Sequence, residues 1–214
     1  MQITWYGHSC FLLTSESGYS ILTDPCDPET GYELDNLVCD AVTVSHEHHD
    51  HNCLAIVAGE PTIIRTAGEH LAGDIRVTGF ANYHDDAKGA KHGDNILFLY
   101  QIDGLKVLHL GDLGHMLSEE AIRSIGDVDV LLAPIGGVYT INAKSATELA
   151  DKLHAKVLIP MHYKTPALHF NIEGLEPLLA ANVNRRVHHL NANTAQLSHD
   201  TLGDRRLLIL DYKR

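Results

Sequence analysis

The sequence predicts a mixed fold, α/β (α+β), in which two β-sheets pack together with helices on the outside. Three observations lead there. The first forty-odd residues read as strand throughout, and the second half alternates strands with helices. The polar residues best suited to chemistry mostly follow apolar runs, so they can gather at one edge of the sheets. A chain of 214 residues fits one domain spanning 1–214, and 44% apolar residues suffice for a substantial core.

Taken in order, Gln2 to Tyr6, Cys10 to Thr14 and Tyr19 to Thr23 are short apolar strands, with Ser15 to Gly18 as a hairpin turn. A polar loop runs from Asp24 to Asn36, and the strand Asp40 to Ser45 follows. Cys53 to Ala58 reads as a short helix and Thr62 to Arg65 as a strand. Ile75 to Ala81 and Ile96 to Gln101 are further strands, and Leu105 to Leu110 pairs back after the tight Asp103-Gly104 turn. Ser118 caps a helix whose first turn carries Glu119 and Glu120, where acidic side chains are favoured. Val128 to Ala133 is a buried strand closed by Pro134. Asn142 caps the helix Ala143 to Leu153, whose apolar spacing gives one buried face. Lys156 to Pro160 is a strand, Glu173 to Ala181 a short helix, and Leu207 to Leu210 a last strand. Neither an internal repeat nor a low-complexity linker divides the chain.

The net charge of −12, with histidines neutral, argues against nucleic-acid binding through a broad basic face. Cys10, Cys26, Cys39 and Cys53 show no Cys-x-x-Cys spacing, and free thiols in a reducing cytoplasm are the expectation. The N-terminus begins directly with strand-like residues, without a signal peptide, and no apolar run reaches bilayer-spanning length; a cytoplasmic protein with no membrane partner is expected.

The densest chemical signal is His46-Glu47-His48-His49-Asp50-His51, with the underlying pattern His-x-His-x-Asp-His. His46 and His48 lie two apart, so in an extended segment both side chains leave the same side of the backbone. Asp50 and His51 follow on chain that must already be turning. One loop therefore offers ligands to two neighbouring ions. Neutral imidazole with carboxylate suits Zn²⁺, with Mn²⁺ or Fe²⁺ also compatible. The alternative, a solvated His-rich tract, is compositional, whereas this one directly follows the apolar run Ala41-Val42-Thr43-Val44.

This motif resembles the signature of the metallo-β-lactamase fold superfamily. Further matches are His84 in Asn82-Tyr83-His84-Asp85-Asp86, Asp112 at the end of the run from Val107, and His162 in Pro160-Met161-His162-Tyr163. Trp5-Tyr6-Gly7-His8-Ser9, the strand Ile21 to Pro25, the segment His84 to Asn95 and the Pro-Met-His-Tyr ending are similar to the ascorbate-phosphate lactonase-like hydrolases. After Tyr163 the resemblance offers little beyond general layout. It implies a four-layer αβ/βα sandwich. It also implies that His46, His48 and His84 hold a first metal, and that Asp50, His51 and His162 hold a second, with Asp112 bridging. His92 is an alternative to His84.

In that scheme two ions roughly 3.5–4 Å apart make a bridging hydroxide, polarise the attacked oxygen and stabilise the leaving one. Asp50 passes a proton to the leaving group. Asp24, in the strand-ending Thr-Asp-Pro, is expected to orient imidazoles from beneath. His8 is expected near the metals in a hydrogen-bonding role, not as a ligand. Tyr139, Asn142 and Lys164 are possible pocket residues, and Cys26 is placed near the pocket mouth as an inert thiol. His109 is expected in the core, and His49 among ordinary surface or core histidines. Two divalent ions add about four positive charges locally, which favours a small anionic substrate: an ester, lactone or phosphoester. A phosphodiesterase or nuclease of the same fold, a di-iron redox enzyme and a non-catalytic metal-binding protein are the competing readings. Oligomeric state leaves no mark in the sequence.

Overall fold

The computed structural model describes residues 1–213. The chain opens with β1 (Gln2–Gly7), β2 (Cys10–Thr14) and β3 (Ser20–Thr23), and continues through β4 (Leu37–Val38), β5 (Ala41–Thr43), β6 (Val57–Ala58) and β7 (Thr62–Ile64). Three longer antiparallel neighbours follow: β8 (Gly68–Ala72), β9 (Ile75–Tyr83) and β10 (Asp94–Ile102). After β11 (Leu105–His109), helices intervene: α1 (Glu119–Ile125), β12 (Val130–Pro134), α2 (Ala143–Lys152), β13 (Val157–Met161) and α3 (Glu176–Ala181). The chain closes with β14 (Arg186–His189), β15 (Thr194–Gln196) and β16 (Arg206–Ile209).

One sheet has the order β15-β1-β2-β3-β5-β7, and the other β14-β16-β13-β12-β11-β10-β9-β8. Side-chain alternation in the first strands explains how the sheets stack. Ile3, Trp5, Phe11, Leu13, Ile21 and Ala41 face a core shared with the second sheet, while Tyr6, Cys10, Leu22 and Val42 face a separate outer core. Polar ties cross the inner layer: Thr43 Oγ1 lies 2.6 Å from Tyr100 Oη, and His109 Nε2 lies 3.0 Å from the Ser9 carbonyl. On the far side of the second sheet, α2 packs on β12 and α3 on α2. β12 and β13 are buried along their whole length, which is why both read as unbroken apolar runs.

The arrangement is the expected sandwich, with one thin outer layer. The outer face of the first sheet is covered by loop residues such as Tyr32, Leu34, Leu168 and Ile172 and by a 3₁₀ turn, Leu54–Ile56, rather than by an α-helix. The helix expected over Cys53 to Ala58 is therefore only that turn, followed by β6, whose Val57 pairs with Leu37. The helix expected from Glu173 starts instead at Glu176, with Pro177 in its first turn. The strands β4, β8, β14 and β15 escape a reading by apolar alternation because they are only two or three residues long, glycine-containing or fully exposed. Both expected helix caps are present: Ser118 accepts from Ala121 N–H at 3.1 Å and Asn142 from Ser145 N–H at 3.0 Å. No helix among the described residues is long and apolar enough to cross a membrane.

What matters for chemistry is where the parallel strands end. β3 runs parallel to β5, and β11 to β12 and β13. Asp24 follows β3, Ser45-His46 lies just beyond β5, Gly111-Asp112 beyond β11, and His162 follows β13 directly. Their C-terminal ends converge on one edge, the region where open α/β sheets bind ligands.

Candidate metal centre

The structure brings together all seven side chains singled out from the sequence. The donor atoms of His46, His48 and His84 lie within 4.8 Å of one another, and so do those of His46, His51 and Asp112. A third group of the same kind joins Asp50, His51 and His162 to His8. Asp112 lies between these groups. Its Oδ2 is 3.2 Å from both His84 Nε2 and His162 Nε2, and its Oδ1 is 3.2 Å from His51 Nε2.

His46, His51 and Asp112 are held from behind. Asp24, fully buried, accepts Ser45 N–H at 2.8 Å through Oδ1 and the Ser45 hydroxyl at 2.6 Å through Oδ2. The same Oδ2 lies 2.8 Å from His51 Nδ1, which must donate to it, leaving His51 Nε2 bare and aimed at the centre. With its proton given to Asp24, the Ser45 oxygen accepts from His46 Nδ1 at 2.9 Å, and this leaves His46 Nε2 an acceptor, 3.0 Å from His48 Nδ1. Asn95 grips the third approach: its Oδ1 accepts Asp112 N–H at 3.0 Å and its Nδ2 donates to the Leu110 carbonyl at 2.9 Å. Asp24→Asn replaces one acceptor oxygen by a donor facing other donors. It should weaken metal binding about 10–100-fold, measured by competition with a chromogenic chelator; unchanged affinity would remove Asp24 from this supporting role.

The polar atoms at the centre fit a cation better than they fit each other. His51 Nε2 and Asp112 Oδ1 are buried and 3.2 Å apart, yet they are not aligned as a hydrogen bond, and each lacks a partner. Unpaired buried polar atoms are costly unless something else satisfies them. Two ligands on one Zn²⁺ at about 2.0–2.1 Å stand about 3.3 Å apart in a tetrahedron, close to the spacing seen around Asp112. The electrostatics agree. Burial, then His51, holds His46 down to about 3, so it is the neutral, ligand-competent form. Burial alone would raise Asp112, but His162 and His51 hold it well below the usual carboxylate range. Burial would lower His51, but Asp112 and Asp50 push it well up, so this part of the site calls for positive charge.

The backbone is also unusual here. His8, Asp24 and His162 all sit at positive φ (49°, 39° and 47°), a conformation that costs non-glycine residues about 1–3 kcal/mol each and persists where surroundings impose it.

Other expectations resolve variously. His8 is fully buried, with Nε2 3.0 Å from Asp50 Oδ2. Burial, then His162, brings His8 down to about 4, so it is neutral and donates Nε2–H to Asp50. Tyr139 does line the cleft over the donors, as do His49, His92 and Phe170. Asn142 caps α2 instead, and Lys164 Nζ donates to the carbonyls of Leu168 and Phe170. Cys26 is not at the mouth: it is buried in the outer core, and burial pushes its thiol up to about 12. His109 is in the core, accepting Gly111 N–H at 3.0 Å. Ser45, Asn95 and Phe170 were not foreseen. Ser45 and Asn95 could have been suspected as polar residues at the ends of apolar runs; nothing local marks Phe170.

A fold of two facing sheets with a histidine and aspartate cluster at their common edge defines a class, and sequence comparison agrees: the Beta-lactamase superfamily domain matches residues 2–162, and the chain belongs to that superfamily. Within it, the chain is 34% identical over 188 residues to a UPF0173 metal-dependent hydrolase of Methanoregula boonei, covering 77% of this chain and 83% of that one. A UPF0173 protein of Pyrococcus furiosus is 33% identical over 189 residues, covering 77% and 84%. A crystal structure from Thermotoga maritima, of a protein proposed to be a Zn-dependent hydrolase of the metallo-β-lactamase superfamily, aligns with TM-score 0.81 at 38% identity over 99% of both chains. The chain thus stands among proteins named metal-dependent hydrolases.

Proposed function

We propose that this chain is a dinuclear metal-dependent hydrolase of a small, anionic ester, lactone or phosphoester. The observation that carries this reading is the clustering of His and Asp donors around Asp112, where buried His51 Nε2 and Asp112 Oδ1 each lack a partner. His46, His48 and His84 would hold one ion, Asp50, His51 and His162 the other, and Asp112 would serve both. Zn²⁺ suits this N/O donor set best, with Mn²⁺ or Fe²⁺ as alternatives. When bound, such ions acidify water toward neutrality and polarise the oxygen of the bond to be cleaved.

The chain's own groups supply the rest. Asp24 and Ser45 lock the imidazole tautomers, so little reorganisation accompanies binding. His8 holds Asp50 through Oδ2, leaving Oδ1 to carry a proton to the departing oxygen. The cleft volume of about 330 Å³ suits a small molecule. No nucleophilic serine or thiol is required, in keeping with the buried, strongly raised Cys10 and Cys26.

Metal analysis of protein purified in Zn²⁺ or Mn²⁺ is expected to find about two ions per chain. A panel of chromogenic phosphodiesters, lactones and β-lactams should show turnover that a chelator abolishes. One ion or fewer in a fully loaded preparation overturns the two-ion scheme; metal without turnover on any ester class overturns the hydrolase.

A further inference from the structure

The walls of the cleft carry a second reading, which rests on the hydrolase proposal. Above the metal-binding donors the cleft is bordered by two ring pairs from different loops. His49 and Phe170 meet edge to face with centroids 6.4 Å apart, and His92 and Tyr139 do so at 6.2 Å. Phe170 and His8 also meet edge to face, with centroids 5.6 Å apart. The lining includes neither lysine nor arginine. Cations on the adjoining loops are turned to other partners: Lys91 Nζ to Asp86 Oδ1 at 2.7 Å, and Arg65 Nη1 to Glu47 Oε1 at 3.3 Å.

Lys164 shows the same allocation. Its ammonium donates to two carbonyls of the loop that presents Phe170, those of Leu168 and of Phe170 itself. That loop is further anchored by His169 N–H to the Thr30 carbonyl at 2.9 Å, and by Tyr32 Oη to Thr165 Oγ1 at 2.7 Å. Phe170 is therefore a fixed wall. Opposite in character, Tyr139 is 48% exposed beside Val138, which is 55% exposed. Apolar ring surface left in water at a cleft mouth gains when a flat apolar group covers it.

We propose that the substrate carries an aromatic or similarly flat apolar arm beside a single scissile group, the arm lying against Phe170 and Tyr139 while the metal ions take the group's charge. A polyanion such as a nucleic-acid strand needs several free lysines or arginines along its path. The lining offers none, and the chain as a whole is acidic.

Calorimetric titration of the metal-loaded protein with phenylphosphonate and with methylphosphonate isolates the arm, because both probes present the same anion. Phenylphosphonate should bind about tenfold tighter. In Phe170→Ala and Tyr139→Ala the two probes should converge to within about threefold. Equal affinities in the unaltered protein overturn the aromatic arm and leave the hydrolase reading standing. Failure of both probes to bind overturns the arm, and the metal content of the same sample then shows whether the metal centre falls with it.

Discussion

Asp112→Asn should strip the site of metal and lower kcat/KM by more than about a hundredfold, since groups that merely orient ligands already cost about 10–100-fold. Asp112 is within 3.2 Å of His51, His84 and His162, and in the proposed scheme it is the carboxylate that serves both ions. Asparagine keeps the shape and removes the charge, so the result reads electrostatics rather than a cavity. Without the anion, His51, His84 and His162 face each other with only the Asp50 carboxylate left among the proposed ligands to balance bound cations. Stability should follow. A ligand present at about a thousand times its Kd stabilises by about 4 kcal/mol, and a chain of this size shifts by about 2–4 °C per kcal/mol. Chelation of the native protein should thus lower Tm by about 8–16 °C, whereas the variant should melt near the chelated value whether or not chelator is added. A variant that retains about two ions per chain and normal turnover would remove Asp112 from the site.

Gly111→Ala should be nearly as damaging without touching a ligand. Gly111 sits at φ +52°, and a Cβ there would lie 2.3 Å from Asn95 Oδ1 and 2.7 Å from Ser45 Cβ. Those are the two residues that fix Asp112 and His46, so the methyl group pushes directly on the supports of both. Overpacking together with backbone strain should cost about 3 kcal/mol, or about 6–12 °C in Tm, accompanied by lost metal affinity. Gly18→Ala provides the contrast: φ is +92°, but nothing lies within 4 Å of the added carbon. It should cost only about 1 kcal/mol and leave metal binding intact. Thermal melts of both variants, with and without chelator, decide the matter; equal losses would show that crowding beside Asn95 and Ser45 plays no special part.

Much of this centre was visible in the sequence because metal ligation constrains residue type and local spacing at once. Six consecutive residues carried the first cluster, and the remaining histidine and aspartate candidates lay at the ends of apolar runs, which strands convert into positions on a sheet edge. The supports were less legible. Asp24 could be anticipated from its strand-ending turn, but its contacts with Ser45 and His51 span 21 and 27 residues and depend on β3 lying beside β5. Asn95 reaches Asp112 because β10 and β11 pair as a hairpin whose register, Phe98 opposite His109, carries on past the strand end to set Asn95 against Asp112.

Composition and alternation were enough to determine a mixed α and β chain, and the His-x-His-x-Asp-His spacing the donor types, because both follow from local chemistry and periodicity; the four-layer sandwich came from the family resemblance that the motif carries. Only the tertiary structure decided that His8 backs Asp50, that Lys164 is spent on the Phe170 loop, that Cys26 is sealed in the outer core, and that rings rather than cations wall the cleft. Those outcomes depend on which distant loops meet, and such meetings are set by the packing of whole sheets rather than by any short stretch of chain.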